Sequence, residues 1–184
     1  LVNNAGAIFG EYSENAEGIE KTIALNHYAY MGLTLGIFNS LSPQCKIINV
    51  ASNAHRAGGV DLNDLHWKSR SYSSFLAYSA SNLENILFTY ELSRKLEYTD
   101  MTVNCMCPGP VKSNFSQESG GWIKIFYKFF PWLMKTPKHA AGGIYKLAYD
   151  SFYDGKSGLF QSNHRIEKSS KKSYDSNLSK QLWD

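Results

Sequence analysis

The chain is poor in cysteine, in charge imbalance and in uninterrupted apolar sequence. Its three cysteines, Cys45, Cys105 and Cys107, cannot all pair, and no His/Cys set at ligand spacing accompanies them. A disulfide framework and a metal site are therefore set aside in favour of buried thiols in a reducing compartment. A formal charge of +3, with no Arg/Lys cluster interleaved with aromatics, argues against a nucleic-acid partner. The longest apolar candidate, residues 22–38, is interrupted by Asn26, His27 and two threonines, which disfavours a transmembrane helix. An initiator Met and a basic leader segment are lacking at Leu1-Val2-Asn3, so the chain reads as processed or as a piece of a longer reading frame. Neither an internal repeat nor a second-domain boundary is visible.

What is present is an ordinary globular composition of 43% hydrophobic and 19% charged residues, with aromatics at 14%. At 184 residues the chain is long enough for one domain with a full core. Leu1 to Gly6 reads as the end of a buried strand entering a small-residue turn. From Gly18 to Leu41 a helical stripe of Ile19, Ile23, Tyr30, Leu33, Ile37 and Leu41 includes Asn26, which must be hydrogen-bonded if buried, while His27 falls off the stripe toward surface or flank. Lys46 to Ala51 is a β-rich run ending at Ser52, a position where open α/β sheets place ligand chemistry. Residues 57–75 form an irregular excursion.

A second helix opens at Tyr78, with Leu83, Ile86, Leu87 and Tyr90 on its apolar stripe and Glu84, Glu91, Arg94 and Lys95 mostly off it. Met101 to Cys107 is a further buried strand, closed by Pro108-Gly109-Pro110. Strands alternating with helices predict a parallel α/β sheet. The segment 122–134, nearly all aromatic and apolar around Lys124 and Lys128, suits a membrane interface, a lid over an apolar pocket or a subunit interface. Thr136-Pro137 caps a helix over 138–149, and 158–161 is a last short strand. Beyond it, 166–184 is a Lys/Ser-rich tail, expected to be solvated or disordered with at most a short terminal helix.

Tyr78 and residue 82 stand one helical turn apart and can face one site. Asn3-Asn4-Ala5-Gly6, Asn26, Ser52, Tyr78 and Pro108-Gly109 with Ser113 follow one another in an order that resembles the short-chain dehydrogenase/reductase family. Residues 18–27, 46–55, 85–92 and Lys135-Thr136-Pro137 are similar to its retinol dehydrogenase-like branch. The resemblance covers 1–165 and implies the carboxyl-terminal two thirds of a Rossmann-like, doubly wound parallel sheet. Strands 4 to 7 of the family fold would be present and the first three absent, with 1–165 a partial dinucleotide-binding and catalytic domain.

By that resemblance Tyr78 is the general acid/base, Ser52 bonds the reacting oxygen, and Asn26 helps to hold a water in the proton relay. Asn3, Ala5 and Gly6 lie near the adenosine part of NAD or NADP, and Pro108, Gly109, Val111 and Ser113 border the nicotinamide. The implied substrate is a lipophilic alcohol or carbonyl. The implied location is cytoplasmic or the cytosolic face of the endoplasmic reticulum membrane, with membrane-surface contact through 122–134 and a homo-oligomer as further expectations.

Two departures stand out. The glycine-rich phosphate-binding turn is missing from the sequence, so the isolated chain is expected to be inactive. Asn82 occupies the family's lysine position. That second departure supports an alternative, a catalytically silent relative that binds a partner or a lipid.

Overall fold

The computed structural model describes residues 1–113, 115, 129 and 131–184. Its centre is a five-stranded sheet in the order β1 (Val2–Asn3), β2 (Lys46–Val50), β3 (Thr102–Cys107), β4 (Phe160–Ser162) and β5 (Arg165–Ile166). The first three pairings are parallel, and β4 pairs β5 antiparallel through a tight turn at Asn163 and His164. The short return strand β5 is the one strand that the apolar pattern does not foreshadow.

Both faces of the sheet are covered, which is why its strands read as continuous apolar runs. Side chains alternate with period two. Ile47 and Val103 point to one face and pack with Phe88, Leu92 and Leu96 of α3 (Ser74–Lys95). Ile48 and Met106 point to the other and pack with Leu147 of α4 (Pro137–Tyr149) and with Tyr153. Thr136 caps α4 through the His139 amide with Pro137 in its first turn, the arrangement the Thr-Pro pair predicts. Cys105 and Cys107 are both buried free thiols on the α3 face, and burial pushes both thiols up.

Between β1 and β2 the helical run is not uniform. It comprises α1 (Lys21–Ile23), a π-helical turn (Ala24–Tyr28) and α2 (Ala29–Gly36). A π turn holds more residues than an α turn, so it moves the inward face along by one position. Asn26 and His27 are consequently both buried, at 3% and 1% exposure, and Leu33 is turned outward at 49%. The expectation that His27 lies at the surface is thus overturned.

Two further expectations give way. Glu84 and Glu91, predicted off the apolar stripe, are buried, as is every residue of α3 from Ser79 to Leu92. The Lys/Ser-rich tail, expected to be solvated or disordered, folds over that helix and ends in α5 (Ser176–Trp183). Trp183 stacks on Phe88 at 5.6 Å, Tyr174 stacks on Tyr90 at 5.3 Å, and Ser179 bonds Arg94. Helix α3 also begins at Ser74, capped by Ser73, so that Tyr78 sits in its second turn rather than at its start.

Among the described residues no helix is long and apolar enough to cross a membrane. Most of the aromatic stretch 122–134 lies outside the described residues; Trp132 and Leu133 within it are exposed.

Candidate active site

The parallel pairing of β1, β2 and β3 brings their carboxyl ends to one edge of the sheet. There a cavity of about 1050 Å³ opens between the turns that follow the strands and the first turns of α3 and α4. Ten of the eleven residues singled out from the sequence line it: Ala5, Gly6, Asn26, Ser52, Tyr78, Asn82, Pro108, Gly109, Val111 and Ser113. Asn3 does not. Its side chain is buried and donates to Thr34 Oγ1 at 2.9 Å and Asn49 Oδ1 at 2.7 Å, tying β1 to α2 and β2. An Asn that closes a strand pairing and an Asn that faces a ligand look alike in sequence.

Ser52 follows β2 and opens a 3-10 turn, Asn53–Arg56, by accepting the Ala54 amide at 3.2 Å. Because that bond uses a lone pair of Oγ, the hydroxyl proton stays available to donate. Asn26 is held by three bonds of its own side chain. Oδ1 accepts the Ala7 amide at 2.9 Å, and Nδ2 donates to the Ala7 carbonyl at 2.9 Å and to Ser81 Oγ at 3.1 Å. The loop after β1 is thereby fixed on the π turn, and Gly6 lies so close that a Cβ there would press on Asn26 Oδ1 at 3.3 Å.

Tyr78 packs its ring against Phe115 at 5.4 Å. One turn on, Asn82 Nδ2 donates to the Tyr78 main-chain carbonyl at 2.7 Å. Only the NH₂ end of the amide can donate, so this bond fixes which end faces the helix and directs Oδ1 away from it. A neutral amide therefore stands one turn after Tyr78 where the resemblance implies a cation.

Asn85 is a site residue that the sequence reading missed. Its Nδ2 donates to the Asn26 carbonyl at 2.8 Å and its Oδ1 accepts from His27 Nδ1 at 3.1 Å. The signal was there: a polar side chain between Leu83 and Ile86 in an apolar helix must be satisfied. Tyr30, whose phenol burial pushes well above its usual range, and Cys107 complete the inner wall; neither stood out, because each reads as ordinary core.

Gly109 has φ +75°, a conformation L side chains rarely adopt, and a Cβ on it would meet Lys135 Nζ at 3.2 Å. No group of three or more His, Cys, Asp or Glu side chains among the described residues is placed to hold a metal ion.

A mostly parallel, doubly covered sheet with an apolar cavity at its carboxyl edge, lined by Ser52, Tyr78 and Asn26, defines a doubly wound α/β protein with its cavity where such sheets place their ligands. The sequence pattern described as short chain dehydrogenase matches residues 1–124, and the chain belongs to that family. It is 33% identical to retinol dehydrogenase 14 of Homo sapiens and 31% identical to retinol dehydrogenase 13 of Homo sapiens, over its whole length in both comparisons. It spans 56% and 57% of those relatives. Among solved structures, a protein from Mycobacterium paratuberculosis superposes on all of the chain with TM-score 0.77 at 28% identity, the chain covering 63% of it. An angucycline C-6 ketoreductase solved with bound NADP shares the fold over 89% of the chain and 60% of its own length, at TM-score 0.61 and 21% identity.

Proposed function

We propose that the protein carrying this chain is an NAD(P)-dependent oxidoreductase of retinol dehydrogenase type, acting on a lipophilic alcohol or carbonyl. The observation that carries the reading is the convergence of Ser52, Tyr78 and Asn26 on one cavity at the carboxyl edge of the sheet. When bound, a nicotinamide supplies or takes up the hydride. The chain's own residues do the rest.

Ser52, with its proton free to donate, stabilises charge growing on the substrate oxygen. Tyr78 gives its phenolic proton to that oxygen in reduction and takes it back in oxidation. Asn26 holds the loop after β1 against the π turn and so keeps the floor of the site rigid. Ala5 and Gly6 would lie along the cofactor, and Pro108, Gly109, Val111 and Ser113 would border its ring. The apolar lining contributed by Ile8, Phe75 and Ile144 favours a lipophilic substrate.

Asn82 gives the mechanism a direction. Oxidation near neutral pH needs the tyrosinate, which a neutral neighbour does not stabilise; reduction needs the protonated phenol, which is abundant. Reduction of a lipophilic aldehyde such as retinal is the expected activity. The test is NADPH- and NADH-linked retinal reduction by the protein carrying this chain, with Tyr78→Phe expected to lower kcat by about 10²–10⁴-fold. Unchanged turnover in Tyr78→Phe would remove Tyr78 as the acid/base.

Asn82 also favours a second reading, a catalytically silent relative that retains the apolar cavity as a lipid- or partner-binding site. Saturable retinoid binding with no turnover under either cofactor would select it.

A further inference from the structure

The turn that begins at Ser52 is gripped from outside the cavity by the carboxyl-terminal segment. Three polar bonds run between them: Arg56 Nη2 donates to the Lys168 carbonyl at 2.8 Å, Lys172 Nζ donates to the Gly58 carbonyl at 2.9 Å, and the Ser170 amide donates to His55 Nε2 at 3.0 Å. The same segment is anchored to α3, where Tyr90 Oη and Ser169 Oγ lie 2.7 Å apart and Tyr174 stacks on Tyr90. On its other side the turn abuts α3 directly beside Tyr78. A Cβ on Gly58 would sit 2.4 Å from the Ser79 carbonyl oxygen, so the turn cannot shift toward the helix.

His55 links the two sides. An amide N–H can only donate, so Nε2 must present its lone pair to Ser170. In the neutral ring the proton then resides on Nδ1, which donates to the Ser52 carbonyl at 2.8 Å. That carbonyl also accepts the His55 amide at 3.1 Å, so both its lone pairs are committed. The ring is fully buried and meets the edge of Phe160 at 5.1 Å. Every polar atom around it has one role, and reversing the tautomer would break both bonds at once.

We propose that His55 is a positioning residue through which the carboxyl-terminal strap, residues 168–174, fixes the orientation of Ser52 relative to Tyr78. The inference rests on the reading of Ser52 and Tyr78 as the reacting pair. Its physical content is that a segment remote in sequence and outside the cavity sets the donor geometry inside it.

Ser170→Pro tests this. Residue 170 has φ −67°, the value proline imposes, so the backbone path is kept, while the ring replaces the N–H with a Cδ that both removes the bond to His55 Nε2 and pushes against the imidazole. Ser170→Ala is the control, since it retains the N–H and removes an Oγ that has no hydrogen-bond partner among the described residues. Two readouts are needed. The Ala54 amide, bonded to Ser52 Oγ, reports the serine's orientation by hydrogen exchange whether or not the protein turns over. Ser170→Pro should speed its exchange at least about tenfold, and Ser170→Ala should leave it unchanged. In retinal reduction, Ser170→Pro should lower kcat by about tenfold with KM within about twofold, as expected when binding persists and transition-state geometry is lost.

If Ala54 protection is the same in both variants, the proposal falls. If Ala54 responds but the parent protein has no turnover, the strap stands and the Ser52–Tyr78 reading fails. Should Ser170→Pro unfold the segment, His55→Asn serves instead. Its amide keeps a donor toward the Ser52 carbonyl while losing the acceptor for Ser170. It too should accelerate Ala54 exchange, and unaltered exchange in a folded His55→Asn protein would overturn the proposal.

Discussion

Residues 82 and 84 stand two positions apart on α3, about 200° around the helix from one another. Asn82 lines the cavity beside Tyr78 and is neutral. Glu84 lies on the far face at 2% exposure, ionisable, with no hydrogen bond or ion pair among the described residues. Burial pushes its carboxyl up to about 8, an effect that the Arg70 charge offsets in part and Glu20 reinforces. The helix thus lacks a charge on the face where proton transfer would use one and, on the other, buries a carboxyl that desolvation keeps protonated near neutral pH. Geometry and charge are separable here: the residues that shape the cavity are in place, while the field that would tune it is not.

The largest effect belongs to the far face. The folded chain keeps Glu84 protonated between about 4.5 and 8, a window in which the unfolded chain has released the proton. Stability contributed by this group is therefore lost as pH rises through that window. Glu84→Gln removes the ionisation, so it should stabilise the protein by roughly 4 kcal/mol at pH 8 and by almost nothing at pH 4.5. His27 works in the opposite sense. Burial lowers its pKa to about 4, so the folded state resists protonation and stability is lost as pH falls from 6.5 toward 4. The two slopes oppose each other between about 4.5 and 6.5, and Glu84 acts alone from 6.5 to 8. Urea unfolding at pH 5.5, 6.5 and 8 should give a plateau followed by a fall, and Glu84→Gln should abolish the fall. An equal stability change at all three pH values would mean that the Glu84 charge does have a partner.

On the cavity face the converse substitution sharpens the contrast. Asn82→Lys places a cation about 5 Å from the phenolate, worth roughly 3 kcal/mol at an effective dielectric near 20. Neutral-pH oxidation of a lipophilic alcohol should rise by about a hundredfold, while carbonyl reduction should gain less. The ratio of the two rates is the informative quantity. Were it constant, Asn82 would not be what sets the direction.

How much of this was legible beforehand follows from the range of each interaction. The parallel sheet, the cap at Thr136 and the convergence of Ser52, Tyr78, Asn26 and Gly109 follow from local pattern and motif order, and the structure brings those residues to one cavity. The π turn was not legible. A helical stripe is read at 3.6 residues per turn, and a single wider turn moves every later position, turning His27 inward and Leu33 outward. The tie that Asn3 makes was hidden for a different reason, since its partners Thr34 and Asn49 are 31 and 46 residues away. The burial of Glu84, toward Glu20 and Arg70, and of Glu91 was hidden in the same way: what covers the Glu91 side of α3 is a polar segment nearly ninety residues downstream, as the contact between Glu91 and Ser179 illustrates.

That cover can be removed, with the smallest effect of the set. Trp183 stacks on Phe88 with an interplanar angle of 18° and takes Lys95 Nζ over its ring at 4.7 Å. Phe88 in turn meets the His27 ring at 6.3 Å, so Trp183 closes the apolar wall behind that histidine. Trp183 is only partly buried, so Trp183→Ala should cost about 2 kcal/mol, below the range of a fully buried aromatic. The more telling change is in pH dependence. Water admitted behind Phe88 would relieve the desolvation of His27 and return its pKa toward 6.5, flattening the loss of stability between pH 6.5 and 4. The fall from pH 6.5 to 8 should persist, because Glu84 faces α1 and the excursion that carries Arg70. A variant that loses both slopes together would show that α5 holds the whole of α3 in place; one that loses only the acid slope would show that the two sides of the helix are sealed independently.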